Sequence, residues 1–206
     1  NRFAHEEIKE VMDLCLACKG CKAECPSNVD VAKLKMEFLY QYQKVNGFSN
    51  RNKTFAYNAK LNNLGSLTPK LTNWFANLSF VKKKMGIAPQ RVVPHLAPKT
   101  FKKWLDKNHK ELEEGTFSNG HVLLFCDEFT NYNDAAIGMK GVLLLEKLGY
   151  EVLLPKQVES GRAWLSKGLL RKAKQIANQN IELLLNSNTY TITTGHQLNL
   201  FTGPLY

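Results

Sequence analysis

Residues 15–26 read CLACKGCKAECP, a C-x2-C-x2-C-x3-C-P run, and this crowding of thiols limits the fold more than any other stretch. The spacing is one by which thiolates hold an iron–sulfur cubane, because a single short loop can wrap three iron corners while its amides face the sulfides. Cys15, Cys18, Cys21 and Cys25 are therefore the candidate metal and cofactor ligands, for a 4Fe–4S cluster. Zinc is the competing reading, since C-x2-C also opens zinc ribbons and fingers. Structural zinc usually draws on two separated ligand pairs, however, and no second C-x2-C or H-x3-H follows. A disulfide framework fits worse: the total of five cysteines is odd, and the run is too crowded to staple distant segments.

Ligand arithmetic sharpens the expectation. In two-cluster ferredoxin-like modules the fourth cysteine of such a run serves the other cluster. Only Cys126 remains elsewhere in this sequence. Either Cys25 closes a single cluster, or a partner run lies outside these residues. The chain as it stands is expected to hold at most one cluster, with an incomplete fourth corner. It opens on Asn1 and ends at Tyr206 inside a regular pattern, which reads as a fragment.

With 206 residues, 44% of them apolar, the chain can bury a core and make one domain or two small ones. No apolar stretch approaches a membrane span and no signal peptide precedes Asn1; the reduced, clustered cysteines lead to the expectation of a cytoplasmic location. Residues 1–110 carry 20 Lys+Arg against 8 Asp+Glu, a net +12, while residues 111–206 carry 8 against 10, a net −2. The basic half is the cysteine half. It would attract an acidic redox partner or an anionic membrane surface, or form a solvated lysine-rich face. No nucleic-acid motif is present. Lys19 and Lys22 lie inside the cysteine loop, where positive charge would favour the reduced form of a cluster.

Periodicity places a helix over His5–Leu14, leading into Cys15, and another over Val29–Val45 with Ser27 and Asn28 as N-cap candidates. Residues 50–85 space Phe55, Leu61, Leu64, Leu67, Leu71, Trp74, Phe75, Leu78 and Val81 helically, with a break at 65–69, and the aromatics among them are expected to be core and not a stacking platform. Residues 86–98 hold three prolines and read as an extended linker. Thr100–Leu112 reads as a short basic helix, and 115–120 as a hinge. The second half alternates: strand His121–Cys126, helix Asp134–Leu148, strand Tyr150–Leu154, long helix Arg162–Leu185, strand Tyr190–Thr194. That order predicts a parallel sheet. Its functional positions would be the strand ends, Cys126–Glu128 and the loop Pro155–Arg162. The fold class expected is α+β: an N-terminal all-α, ferredoxin-like iron–sulfur module followed by a partial α/β parallel-sheet domain.

The stretch VMDLCLACKGCKAECPSNVDVAKLK, followed by FLYQYQ, resembles the iron–sulfur region of flavin-linked oxidoreductases. In these, an FAD-binding half related to D-lactate, D-2-hydroxyglutarate and glycolate dehydrogenases is fused to a ferredoxin-like half. LFCDEFTNYND and ESGRAWLSKGLLRKAK resemble the CCG domain of heterodisulfide reductases, and the whole resemblance runs over about residues 1–182. It implies FAD on a part preceding Asn1, a substrate that is a small 2-hydroxy acid, and electrons leaving singly through the clusters. It also implies that Cys15, Cys18 and Cys21 hold one cluster while Cys25 reaches another. Cys126 stands at the first cysteine of the CCG pattern, but Glu159-Ser160-Gly161 replaces Cys-Cys-Gly, so the special cluster of that domain could not be held in the same way. The domain then reads as a structural or docking remnant, and Cys126 as a buried strand-end thiol.

The last stretch, TITTGHQLNLFTGPLY, resembles the N-terminal signature of the cysteine-adding enzyme of bacillithiol biosynthesis, which has a nucleotidyltransferase-like Rossmann fold. The changeover falls at residues 180–184. The domain division expected is 1–48 for the helical cluster module, 49–115 for a helical and linker region, 116–182 for the partial CCG-like domain and 183–206 for the bacillithiol-like segment. Expected partners are an FAD-binding dehydrogenase domain and a downstream electron acceptor, with no nucleic acid and no transmembrane segment. Peripheral contact at the inner face of the membrane is a further expectation. Without a G-x-G-x-x-G fingerprint, the chain alone should bind no FAD and turn over no substrate. Two other functions stay open: a basic, metal-stabilised nucleic-acid-binding module, and a fragment or fusion of the bacillithiol ligase.

Overall fold

A computed structural model describes residues 5–108 and 119–185, and about 61% of the chain is helical. Twelve helices and one two-stranded parallel sheet make up the described residues, an α-rich member of the expected mixed class. They form two compact units. Among the described residues, one contains those up to Asn58 and then Ser160–Ala177; the other contains those within Ala59–Glu159 and those from Asn178.

The first unit begins with α1 (Glu6–Asp13), α2 (Gly20–Glu24), α3 (Val31–Asn46) and α4 (Asn50–Ala56). Two acids, Glu6 and Glu7, occupy the first turn of α1, where the helix dipole favours them. Helix α1 packs on α3, and the Tyr42 hydroxyl donates to Glu6. Helix α3 starts two residues later than the sequence suggests. Asn28 adopts a left-handed φ of 55°, outside the right-handed helical region, and Asp30 is the N-cap, accepting from the Lys33 amide at 3.0 Å.

The expected long helix over Arg162–Leu185 is two helices, α11 (Arg162–Ser166) and α12 (Leu170–Leu185). Gly168 breaks it, with φ at 72°. A Cβ there would lie 2.7 Å from the Leu39 Cβ, so only glycine lets this turn press against α3. Gln43 secures the contact by donating to the Lys167 carbonyl at 2.7 Å. Trp164 on α11 is buried and meets the Tyr57 ring edge-on at 4.6 Å. Gly168→Ala is expected to cost roughly 2–4 kcal/mol from backbone strain and overpacking, read as a lower urea midpoint.

The second unit contains α5 (Asn58–Gly65), α6 (Pro69–Ala76), α7 (Ser79–Lys84), α8 (Phe101–Asn108), β1 (His121–Leu123), α9 (Glu128–Tyr132), α10 (Ala135–Lys147) and β2 (Glu151–Leu153). The strands pair in parallel with Val122 opposite Val152, as parallel strands joined through helices must. Phe101, Leu105, Cys126, Ala135, Val142 and Val152 make the core. Phe101 is fully buried, and Gly138 of α10 is small because a Cβ would meet the Phe101 ring at 2.8 Å. The third expected strand, Tyr190–Thr194, and most of the 115–120 hinge lie outside the described residues.

Two expectations for residues 50–98 need correction or refinement. Of the aromatics expected in the core, Trp74 and Phe75 face outward and Phe55 is half-buried, and Leu61, Leu64, Leu67 and Leu71 of the same stripe are exposed. The segment is cut into helices of eight residues or fewer, and helical spacing alone does not provide a partner for every stripe. The 86–98 linker is irregular as expected, yet it is stitched down by side chains. Asn73 brackets Leu96, accepting from its amide at 2.8 Å and donating to its carbonyl at 2.9 Å, while Asn77 accepts from the Val93 amide at 2.9 Å.

Candidate metal centre

The cysteine loop leaves α1 and runs into α2 within the first unit. The Cys15 amide still bonds back to Met12 at 3.1 Å, as part of the helix end. Lys35 of α3 donates to the Cys15 carbonyl at 2.5 Å, fixing where the loop begins. Ala17 and Lys19 then adopt left-handed φ values of 55° and 61°. Non-glycine residues adopt this conformation at a cost, and successive turns of this kind aim backbone amides toward one concave side. The Ala17 amide faces the Cys15 Sγ at 3.4 Å. Gly20 leaves the space beside Cys18 open: a Cβ on it would lie 3.7 Å from that sulfur.

Cys21 lies on α2 and Cys25 caps its end, with the Cys25 amide bonded to the Cys21 carbonyl at 3.0 Å. The amides of Val29, Ser27 and Asn28 surround the Cys25 thiol and hold it below the usual thiol range, since N–H dipoles favour the thiolate. Its sulfur therefore faces the segment leading into α3. Cys18 and Cys21 are exposed, and Cys15 and Cys25 are half-buried.

Lys19 has a different role from the one its position suggests. Its ammonium lies 3.3 Å from Asp30, and the two side chains are only 15% and 9% exposed, so the charge is matched within a shielded pair. The Asp30 carboxyl is held below its usual range, first by the Lys33 amide and then by Lys19. Asp30 thus ties the loop to the start of α3. An aspartate just before a helical run is a legible signal; its ion pair is not. Lys22 remains exposed.

The donor chemistry, four thiols with amides directed at two of the sulfurs, fits a cluster. The sulfurs are not gathered: among the described residues, no three His, Cys, Asp or Glu side chains converge into a group that could hold a metal ion. The loop would have to draw its thiols together on binding.

Cys126 belongs to the other unit and lies three residues beyond β1, 3% exposed. Gln157, beyond β2, grips it on both sides: the Cys126 amide donates to Oε1 at 2.9 Å and Nε2 donates to the Cys126 carbonyl at 2.6 Å. The two strand ends expected to carry functional groups are thus joined by an amide clamp that the sequence did not single out. Burial pushes the Cys126 thiol up to about 12. The folded protein binds this proton more tightly than an unfolded chain with the ordinary value of 9.0, so the associated stability is intact below pH 9 and is lost as pH rises towards 12. Ellman's reagent at pH 8 should report the exposed loop thiols at once and Cys126 only after denaturant is added.

Comparison with known proteins divides the chain. It is 30% identical over 196 residues to D-2-hydroxyglutarate dehydrogenase of Escherichia coli, covering 88% of this chain and 19% of that protein. It is 29% identical to the enzyme of the same name from Haemophilus influenzae, again covering 88% of this chain and 18% of the relative. The chain spans about a fifth of the length of these curated relatives. Residues 150–206 match the family described as bacillithiol biosynthesis BshC, N-terminal Rossmann-like domain. A protein of Flavobacterium johnsoniae named as cysteine ligase BshC is 82% identical over 28 residues, 14% of this chain and 5% of the ligase. The family match begins at Tyr150, earlier than the changeover expected at 180–184, and it overlaps the similarity to the dehydrogenases. No solved structure matches. No helix among the described residues is long and apolar enough to cross a membrane.

Proposed function

We propose that residues 1–182 are the electron-transfer segment of an FAD-dependent oxidoreductase acting on a small 2-hydroxy acid. The observation that carries this reading is the similarity to D-2-hydroxyglutarate dehydrogenases over 88% of the chain, with the four-cysteine run inside a loop whose amides face its sulfurs. In this reading Cys15, Cys18 and Cys21 hold one cluster while Cys25 is an iron ligand toward another, and FAD binds on a domain outside these residues. A bound 4Fe–4S cluster supplies one-electron transfer. The chain's own part is to set its position and surroundings. Lys35 and Asp30 hold the two ends of the loop, the Ala17 amide donates to the Cys15 sulfur, and the amides of residues 27–29 stabilise the thiolate of Cys25. The partners are the flavin domain and a downstream acceptor, and the location is cytoplasmic.

Anaerobic reconstitution with ferrous iron and sulfide tests it. Brown protein with broad visible absorption that bleaches on dithionite is expected; colourless protein holding stoichiometric zinc would overturn it. The chain alone should show no turnover of 2-hydroxy acids with an artificial acceptor.

A second reading applies to the C-terminal segment, favoured by its dense identity to the BshC ligases. That segment is the start of a ligase-type Rossmann unit joined to the oxidoreductase region. With only 5% of the ligase present, no cysteine-adding activity is expected from this chain.

A further inference from the structure

The second unit presents a surface that the electron-transfer reading does not use. Leu71 and Trp74 are 61% and 62% exposed on α6, and Phe75 beside them is 51% exposed. Leu71, Trp74 and Phe75 are spaced i, i+3 and i+4, so they share one helix face. Phe80 of α7, itself 64% exposed, meets the Phe75 ring edge-on at 6.1 Å, which joins the two helices into one apolar corner. Leu67, just before α6, is exposed as well. Such a cluster of exposed aromatic and aliphatic groups marks an interaction surface.

Its surroundings specify the partner. Between Glu37 and Asp106 the sequence contains no acidic residue, while residues 59–105 contain nine Lys and Arg. Lys70, Lys83 and Lys84 are exposed on α6 and α7 themselves. Lys82 is not available: it is buried, and its ammonium donates to the Pro89 and Arg91 carbonyls at 2.6 and 3.1 Å. A Trp and Phe face bordered by lysines, on a stretch of sequence without an acidic residue, is complementary to the headgroup region of an anionic bilayer, where indole rings settle and each lysine strengthens binding roughly fivefold. Single-stranded nucleic acid would use the charge and the rings, but the leucines on the same face add nothing to base stacking.

We infer that the α6–α7 corner docks onto an anionic phospholipid surface, inserting Leu71, Trp74, Phe75 and Phe80 among the headgroups while Lys70, Lys83 and Lys84 meet lipid charge. This assigns membrane contact to a named surface, independently of whether the cysteine loop holds a cluster.

Vesicle sedimentation with the 206-residue protein tests it, comparing phosphatidylcholine vesicles with ones containing phosphatidylglycerol. At least tenfold tighter binding to the anionic vesicles is expected, weakening as salt rises. Brominated lipid should quench the tryptophan emission of the unmodified protein, because Trp74 is exposed whereas Trp164 is buried. The Trp74→Ser/Leu71→Ser and Lys83→Glu/Lys84→Glu variants should each bind at least tenfold more weakly while melting at the parent temperature. Absence of binding to anionic vesicles, no quenching by brominated lipid, or full binding by the serine variant would overturn the assignment. So would tighter binding to a single-stranded oligonucleotide than to the vesicles.

Discussion

Serine at position 15, 18 or 21 should leave the anaerobically reconstituted protein colourless, whereas Cys25→Ser should keep a single cluster of about three irons. The contrast follows from where the sulfurs face. Cys15 accepts the Ala17 amide within the loop, and Cys18 and Cys21 are exposed on the same short stretch. The Cys25 thiol is instead surrounded by the amides of residues 27–29, on the side leading into α3. Cys126 offers no ready thiolate in the folded state: it is buried in the second unit's core and its thiol stays protonated well above neutral pH. Iron and acid-labile sulfide analysis, with EPR of the air-exposed protein, measures the outcome. A three-iron signal after brief air exposure is expected, and two intact four-iron clusters per chain would refute the ligand assignment.

Phe101→Ala should destabilise the second unit by about 3–5 kcal/mol, the cost of removing a large ring from a closed core. Phe101 is fully buried beneath Gly138 and lies in the same core as Val142 and Val152, so the neighbouring backbone has little room to collapse into the gap. Phe80→Ala, which removes the same atoms from an exposed site, should change stability by no more than about 0.5 kcal/mol. Urea denaturation followed by circular dichroism separates the two. Equal losses would mean that the burial described for these rings is wrong.

Local patterning made much of this fold readable. The helical stripe of residues 5–14, the α3 segment and the strand–helix–strand order of residues 121–154 all appear where periodicity puts them, within a few residues. The signals failed where a distant residue decides. Nothing within RAWLSKGLLRKAK shows that Gly168 must turn against Leu39, because the apolar spacing runs through the break. Asn28 looks like a cap, and it loses that role to Asp30, whose second oxygen faces Lys19. In the stripe from Leu61 to Phe75 the period identified helices correctly, but a period carries no information on whether a face is covered. At the candidate centre the ligand spacing was plain from the sequence. The left-handed residues Ala17 and Lys19, the Lys35 clamp and the Gln157 bridge required coordinates, since each depends on backbone geometry or on a partner far along the chain.

The contact between Gly168 and α3 also bears on how the chain is made. Residues Ser160–Ala177 complete the first unit, and the whole stretch Ala59–Glu159 is synthesised in between. At typical translation rates the cysteine loop therefore waits roughly 7–30 s on the ribosome before its buttress emerges. During that interval α3 lacks the glycine turn against Leu39 and the carbonyl that Gln43 holds, while the intervening unit already has all of its core residues. Under the proposed cluster reading, iron delivery would meet two substrates, a nascent loop on an unfinished scaffold and a finished one. A truncation that ends before Ser160 would supply only the first.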